Sequence, residues 1–345
     1  MMRIGGSKPD YRQLCDLETS IPIFSKDWWL DANCGEDRWD VICVYEGEHI
    51  VATLPFAIRI RCGQQYLGMP PGTPWLGPWL RQPQGQKYAH ALSRSHRLLS
   101  ELIDGIPRRC FFRQSFSPEQ TNWLPFYWRG FRQTTRYTYL IDLTKDLSSI
   151  QQEFKSNARG KIRKANGLVT VKVADDVERF RRLLDLTFAR QNLRNPFTRA
   201  HLERVDQVLD ARAARAIFLA TDKAGLDHSA LYLIWDAESA YVHMVGEDPA
   251  LRSSGAGMLL AWEAIQFAKT ELRLPIFNFQ GSMIQSVESV RRELGARQAP
   301  YHSVWRDKRS RLGRLAVGAA SGSRRMIRHL IPRIGRCVTG SVRHG

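Results

Sequence analysis

WDAESAYVHMVGEDPALRSSGAG occupies residues 235–257, with MLLAWEAIQFAKTE following at 258–271 and PIFNFQGSM at 275–283. Residues 240–246 alternate as a strand does, and Asp236-Ala237-Glu238-Ser239 is a tight turn joining them to an earlier strand at 229–235. Met258, Ala261, Trp262, Ile265, Ala268 and Leu272 recur at helical spacing, which predicts a helix over 257–271. Residues 275–280 read as a further strand. Between strand and helix, Arg252-x-x-Gly255-x-Gly257 joins a forked cation to two glycines. Glycine lets backbone amides approach an anion without a Cβ in the way, and a helix N-terminus gathers partial positive charge there. The loop recurs by chance in unrelated chains, so its place between strand and helix carries the reading.

Outward from this unit the pattern continues. Val177, Phe180, Leu184 and Phe188 share one face of a helix over 177–192, and Leu202, Val205 and Leu209 mark a second helix before a strand at 215–220. Helix, helix, antiparallel meander, helix, strand is the resulting order. A charged stretch, 145–164, precedes it. Before that lie strands at 41–46 and 50–60 around Gly47-Glu48, a Pro- and Gly-rich ordered loop at 66–86, a helix at 88–104, and strands at 108–116 and 134–142. The expected organisation is a first α/β domain over 1–144, a second over 145–307, and a basic tail over 308–345, partly helical or disordered. No repeat of 20–50 residues is visible.

Of 345 residues, 43% are apolar, which is ample for packed cores. The formal net charge is +17, yet ten Lys or Arg and no Asp or Glu lie from Lys308 onward, leaving +7 for the rest. A body so mildly basic does not require nucleic acid, whereas the tail suits phosphates of lipid or RNA. Its arginines alternate with Leu312, Leu315, Met326, Ile327, Leu330 and Ile331, a composition suited to an anionic membrane surface. The six cysteines are scattered, with no Cys-x-x-Cys pair and no zinc-ligand spacing, so free thiols and no metal are expected. No apolar h-region opens the chain and no run approaches ~18 apolar residues, so a cytoplasmic protein is expected, peripheral on the inner membrane face through its tail.

FNFQGSM (277–283) resembles the Phe-Asp-Phe-Glu-Gly-Ser-Met signature of FemAB-like GNAT acyltransferases, the group with BioF2-like and CelD-like domains. SNARGKIRKA (156–165), TTRYTYLIDL (134–143), residues 235–257 and PIFSKDWWLDA (22–32) extend the resemblance over roughly 20–306. It implies an α/β (α+β) fold of two GNAT-like domains, each a mixed central sheet flanked by helices, facing across a cleft. It also implies acyl transfer from coenzyme A or aminoacyl-tRNA to an amine or hydroxyl of a cell-envelope or polysaccharide precursor. In that family the Arg-x-x-Gly-x-Gly loop holds the pyrophosphate of coenzyme A, here Arg252, Ser253, Ser254, Gly255, Ala256 and Gly257. The intact loop favours an acyl-CoA donor, acetyl-CoA first, over tRNA. One departure stands out: Asn278 and Gln280 replace the signature's two carboxylates. Amides cannot titrate, so neither is a general base, though on a strand the two would share one polar face. That departure favours a rival reading, a non-catalytic GNAT-like scaffold in polysaccharide assembly; the loop opposes it.

Acyl transfer needs a base, oxyanion donors and a proton for the thiolate. Glu247, just past the strand, is the candidate base. Tyr301 is the candidate acid and Ser282 the oxyanion donor. His243, among apolar neighbours, reads as a hydrogen-bonded core histidine. Arg159, Arg163 and Lys164, with Asn278 and Gln280, form the candidate acceptor site, for a small-molecule or lipid-linked saccharide. Arg159 and Arg163 would meet a diphosphate or, in the rival donor reading, the end of a tRNA.

Overall fold

The computed structural model describes residues 2–5, 7–82, 85–281 and 283–309. Ser282 and the tail from residue 310 lie outside the described residues.

The first half runs β1 (Met2–Gly5), α1 (Lys8–Leu17), α2 (Asp27–Cys34), β2 (Trp39–Glu46), β3 (His49–Arg61), β4 (Gln64–Gly68), β5 (Trp79–Leu80), α3 (Tyr88–Asp104), β6 (Cys110–Ser115), α4 (Leu124–Trp128) and β7 (Arg132–Asp142). The second runs α5 (Leu147–Gln152), α6 (Ser156–Asn166), β8 (Val169–Ala174), α7 (Val177–Arg190), α8 (Arg199–Asp210), β9 (Arg215–Asp222), β10 (Asp227–Trp235), β11 (Ser239–Glu247), α9 (Ala256–Thr270), β12 (Ile276–Asn278), α10 (Gln285–Glu293) and β13 (Arg297–Asp307). The helix expected at 88–104 and the meander strands lie where the sequence puts them. The stretch 145–164 contains two helices, and α1, α2, β8, α10 and β13 are further elements that the sequence reading does not assign.

The strands form one continuous sheet ordered β1-β2-β3-β4-β6-β13-β7-β12-β11-β10-β9-β8, with β5 on β3. Its middle is interlaced. β7, from the first half, pairs antiparallel with β12, while β13, last in sequence, lies between β6 and β7, pairing Ser303 with Ser115 and Tyr301 with Arg136. The fold is mixed α/β, its two halves joined by backbone hydrogen bonds across β13 and β7.

On the second half's sheet, α9 and α6 cover one face. α9 is buried almost all round because Ala158, Ile162 and Ala165 of α6 lie over it. The other face carries Phe180, Leu183 and Leu184 of α7 and Leu202, Val205 and Leu209 of α8. Ile23, Phe24, Trp29 and Trp75 of the first half join that same cluster, so the loop at 71–75 is pressed against the second sheet. At ~25 cal/mol per Å² of apolar surface, several buried aromatic rings make a substantial contact.

β12 ends at Asn278, two residues short of expectation. Gln280 takes a left-handed φ of 58°, so Asn278 and Gln280 do not share a strand face. Asn278 is buried, its Oδ1 accepting the Thr138 hydroxyl at 2.7 Å and the Gln280 amide at 2.9 Å. The residue closes the turn after β12, a task an acceptor oxygen performs whether it belongs to an amide or a carboxylate.

Candidate active site

β11 and β12 pair in parallel only from Ser239↔Ile276 to Tyr241↔Asn278. Beyond that point they part, and β11 runs on to Glu247 with its β12-side edge open. At the same place β11 bulges. Tyr232 pairs with Met244 and Leu233 with Val242, leaving His243 as the extra residue, and bulges re-aim backbone and side chains. A cavity of about 410 Å³ fills the opening, lined by Thr187 and Phe188 of α7, His243, Met244 and Val245 of β11, Gln280 and Gly281 beyond β12, and Gly72 to Pro74 of the first half.

His243 packs edge-on to Trp29, with ring centroids 5.5 Å apart, and also meets Phe24 and Tyr232. Burial pushes its pKa down to about 4, with His201 adding to the effect, so the imidazole is neutral near pH 7. Gln280 Nε2 lies 3.4 Å from its Nδ1. His243 was read from the sequence as a core residue; its aromatic shell fits that, but the ring also faces the cavity. The bulge that turns it there has no sequence signal.

Glu247 is the last residue of β11, its amide donating to the Thr187 hydroxyl at 2.8 Å. Burial raises its carboxyl above the usual range, and Arg252 pulls it partly back. Arg252 Nε contacts Glu247 Oε2 at 2.7 Å. The loop after β11 continues as a turn of 3₁₀ helix, Arg252–Ser254, and Gly255 at φ 80° leads into α9. A Cβ at Gly255 would meet the Lys161 carbonyl at 2.8 Å, and one at Gly257 would stand 3.4 Å from Glu247 Oε1. Gly255 thus has an internal reason to be glycine, because α6 crosses there, whereas a Cβ at Gly257 would make only an ordinary contact with the Glu247 carboxylate. Ser254 Oγ accepts the Ala256 amide at 3.3 Å. Lys164 reaches from α6 to the Ser253 carbonyl at 2.7 Å.

The remaining candidates are dispersed. Arg159 donates to the Gln152 and Phe154 carbonyls, closing the end of α5, and Arg163 is exposed nearby. Of the three basic residues, Lys164 alone contacts the loop. Tyr301 on β13 is buried beneath Gly281, its hydroxyl accepting from Arg136 Nε at 3.2 Å. Arg291 of α10, not anticipated from sequence, donates to the Phe279 carbonyl from Nε at 3.2 Å and Nη2 at 2.8 Å, fixing the strand end.

Residues 152–282 match the family profile described as an acetyltransferase (GNAT) domain. The whole chain is similar in structure to FemX (11% identity, 87% of this chain and 96% of that one, TM-score 0.62). Residues 152–282 thus carry the match to a GNAT domain, and the likeness to FemX is one of fold. The chain is similar also to the C-terminal domain of a putative lysylphosphatidylglycerol synthetase from Agrobacterium fabrum (13% identity, 91% and 96% coverage, TM-score 0.55). A tandem GNAT protein from the clavulanic acid biosynthesis pathway is similar over 88% of this chain and 98% of that one, at 11% identity and TM-score 0.50. No curated protein matches the chain. At such identities the structural likenesses establish the fold of two GNAT-like halves, and the profile match over 152–282 is to a GNAT acetyltransferase domain.

The residues around the loop fit a diphosphate-bearing donor. Among the described residues the Gly257 amide at the start of α9 has no protein acceptor, the terminal nitrogens of Arg252 have none, and Lys164 stands beside them. The nearest carboxylate, Glu247, is already engaged by Arg252. Among the described residues no cluster of His, Cys, Asp and Glu is placed to hold a metal ion, and no helix is long and apolar enough to cross a membrane.

Proposed function

We propose that this protein transfers an acyl group from an acyl-CoA, acetyl-CoA first, to an amine or hydroxyl of a saccharide or other cell-envelope precursor. The parting of β11 from β12 carries the reading. It opens a strand edge beside the N-terminus of a long helix, with a separate cavity alongside for an acceptor.

Bound coenzyme A would supply the acyl group as an activated thioester. Gly257 N–H, Arg252, Lys164 and the Ser253-Ser254 segment would hold its diphosphate. Glu247 is the better proton acceptor of the two titratable groups near the opening. A base works best with a pKa near the working pH, and burial moves Glu247 toward neutrality while it moves His243 away. His243, neutral and beside Gln280, would orient the acceptor as a hydrogen-bonding pair. Tyr301 and Ser282, flanking Gly281, are the proposed proton donor and oxyanion donor. The turn-closing role of Asn278 supports an active site despite the missing carboxylates, because the hydrogen bonds made there need only an acceptor oxygen.

The test is acyl transfer from labelled acetyl-CoA to a panel of amino sugars and sugar alcohols. Turnover that fails with Glu247→Gln supports the reading. Absence of any acetyl-CoA binding, with tRNA co-purifying as high absorbance at 260 nm, would support the aminoacyl-tRNA donor instead; absence of both would favour the scaffold.

A further inference from the structure

Three segments of the first half meet at one end of the sheet. The β3–β4 hairpin turns at Cys62-Gly63, both at positive φ, and residues 58–61 of β3 run past Ala57, the last to pair with β2. The start of β6 lies beside this hairpin, Gln65 pairing with Cys110. β13 ends there too. Asp307 pairs with Phe111, and the Lys308 amide donates to the Cys110 carbonyl at 3.1 Å. The hairpin tip, the loop before β6 and the end of β13, from which residues 310–345 follow, therefore share one end of the sheet.

That end is basic and carries an apolar point. Ile60 is 74% exposed between Arg59 and Arg61, and Cys62 is exposed next to them. Arg108 and Arg109, also exposed, precede β6. None of these four arginines makes an ion pair among the described residues, although Arg97 of α3 and Arg129 after α4 do. Asp307 is the sole acid in residues 57–68, 105–113 and 305–309, and Arg309 already bonds it at 2.6 Å. Residues 310–345 add eight Arg and no Asp or Glu, interspersed with Leu312, Leu315, Met326, Ile327, Leu330 and Ile331.

An isoleucine at the tip of a projecting hairpin, flanked by unpaired cations, gains nothing from a nucleic-acid backbone. A bilayer interface suits both kinds of side chain. Anionic headgroups take the guanidinium groups, and the boundary with the acyl chains takes the isoleucine. The arginine stems lie along the apolar side while their heads stay in water. The same pairing of cations with apolar residues recurs in 310–345, which start at this end, so hairpin and tail can meet one surface.

We propose that this end of the sheet docks on an anionic lipid surface, with Ile60 entering the headgroup–acyl boundary and the flanking arginines, with Arg108 and Arg109, on the lipid phosphates. It is a contact built into the folded body, beside any that the tail makes. It stands apart from the acyl-transfer reading, since Arg252, Lys164 and Glu247 belong to the other half.

Cosedimentation of the full chain with vesicles of phosphatidylglycerol and phosphatidylcholine in equal parts tests it, against vesicles of phosphatidylcholine alone. Wild type should attach to the first at low salt and not to the second, and attachment should fall steeply as salt rises. Every variant keeps the tail, so a loss belongs to the hairpin end. Ile60→Ser and, separately, Arg108→Gln/Arg109→Gln should each weaken attachment about tenfold. Both sites are exposed, so circular dichroism should not change. An environment-sensitive dye on Cys62, in a chain carrying Cys34→Ser and Cys337→Ser, should shift to the blue on anionic vesicles. Attachment by the tail alone would leave both variants as tight as wild type and the dye unshifted. That result overturns the proposal, as does a wild type that ignores anionic vesicles. Binding to single-stranded RNA that depends on Arg108 and Arg109 but not on Ile60, without attachment to vesicles, would overturn it in favour of a nucleic-acid face.

Discussion

Arg252 Nε and Glu247 Oε2 are 2.7 Å apart, tying the loop before α9 to the end of β11. Burial raises the Glu247 carboxyl and Arg252 lowers it, so removing the cation leaves burial unopposed. If ionised Glu247 accepts the acceptor's proton, activity falls as pH drops through its pKa. Arg252→Gln should therefore move the acidic limb of the kcat/KM profile to higher pH, and Arg252→Lys should move it less. Glu247→Gln should remove the limb and cost about 10²-fold or more in kcat. An unmoved limb in Arg252→Gln would show that another group titrates.

His243 gives a stability signature. Its folded pKa of about 4 lies below the ordinary 6.5, so as pH falls the unfolded chain takes up the proton first. Stability is therefore lost progressively between pH 6.5 and 4, by up to about 3 kcal/mol. Denaturant melts of wild type and His243→Gln at pH 7.5 and 4.5 should show the wild type losing more between the two pH values. Equal losses would mean that the imidazole titrates freely.

Gly255 is a packing position. Alanine there meets the Lys161 backbone and a left-handed φ together, so Gly255→Ala should cost about 1–3 kcal/mol in thermal unfolding. Gly257→Ala meets only ordinary contact distances and should cost less than 1 kcal/mol while impeding anion approach to the helix end. Equal destabilisation by the two would contradict the assigned contacts.

The chain's end separates fold from surface chemistry. Arg309 bonds Asp307 and stacks over Tyr66, so truncation after Arg309 should leave the melting temperature unchanged. Truncation after Ala296 removes β13, the strand between β6 and β7, and should abolish cooperative unfolding. If the tail meets a membrane, the first truncation should also release the protein from anionic vesicles, and full-length attachment should weaken steeply with salt. Indifference of the full chain to anionic vesicles at low salt would remove that role.

Much of the second half was legible because its helices repeat apolar residues cleanly, as Val177, Phe180, Leu184 and Phe188 do, and its meander turns on Asp236 to Ser239. Interlacing of the halves was not legible. Nothing local in Arg297–Asp307 says that it returns between β6 and β7, since strand order is set by long-range pairing. The polar face expected of Asn278 and Gln280 failed for a local reason: the Asn278 side chain caps a turn, which ends the strand. Candidate residues from the loop and strand end, Arg252, Gly257 and Glu247, lie together. Arg159 does not join them, because a helix-facing argument cannot foresee that its guanidinium closes α5.

The central claim is that the loop at 252–257 binds an acyl-CoA, and calorimetric titration of the purified chain with acetyl-CoA tests it most directly. The account predicts saturable binding in the wild type and a loss of about tenfold or more in Arg252→Gln. Wild-type protein that binds neither acetyl-CoA nor longer acyl-CoAs, or Arg252→Gln that binds as the wild type does, would contradict it.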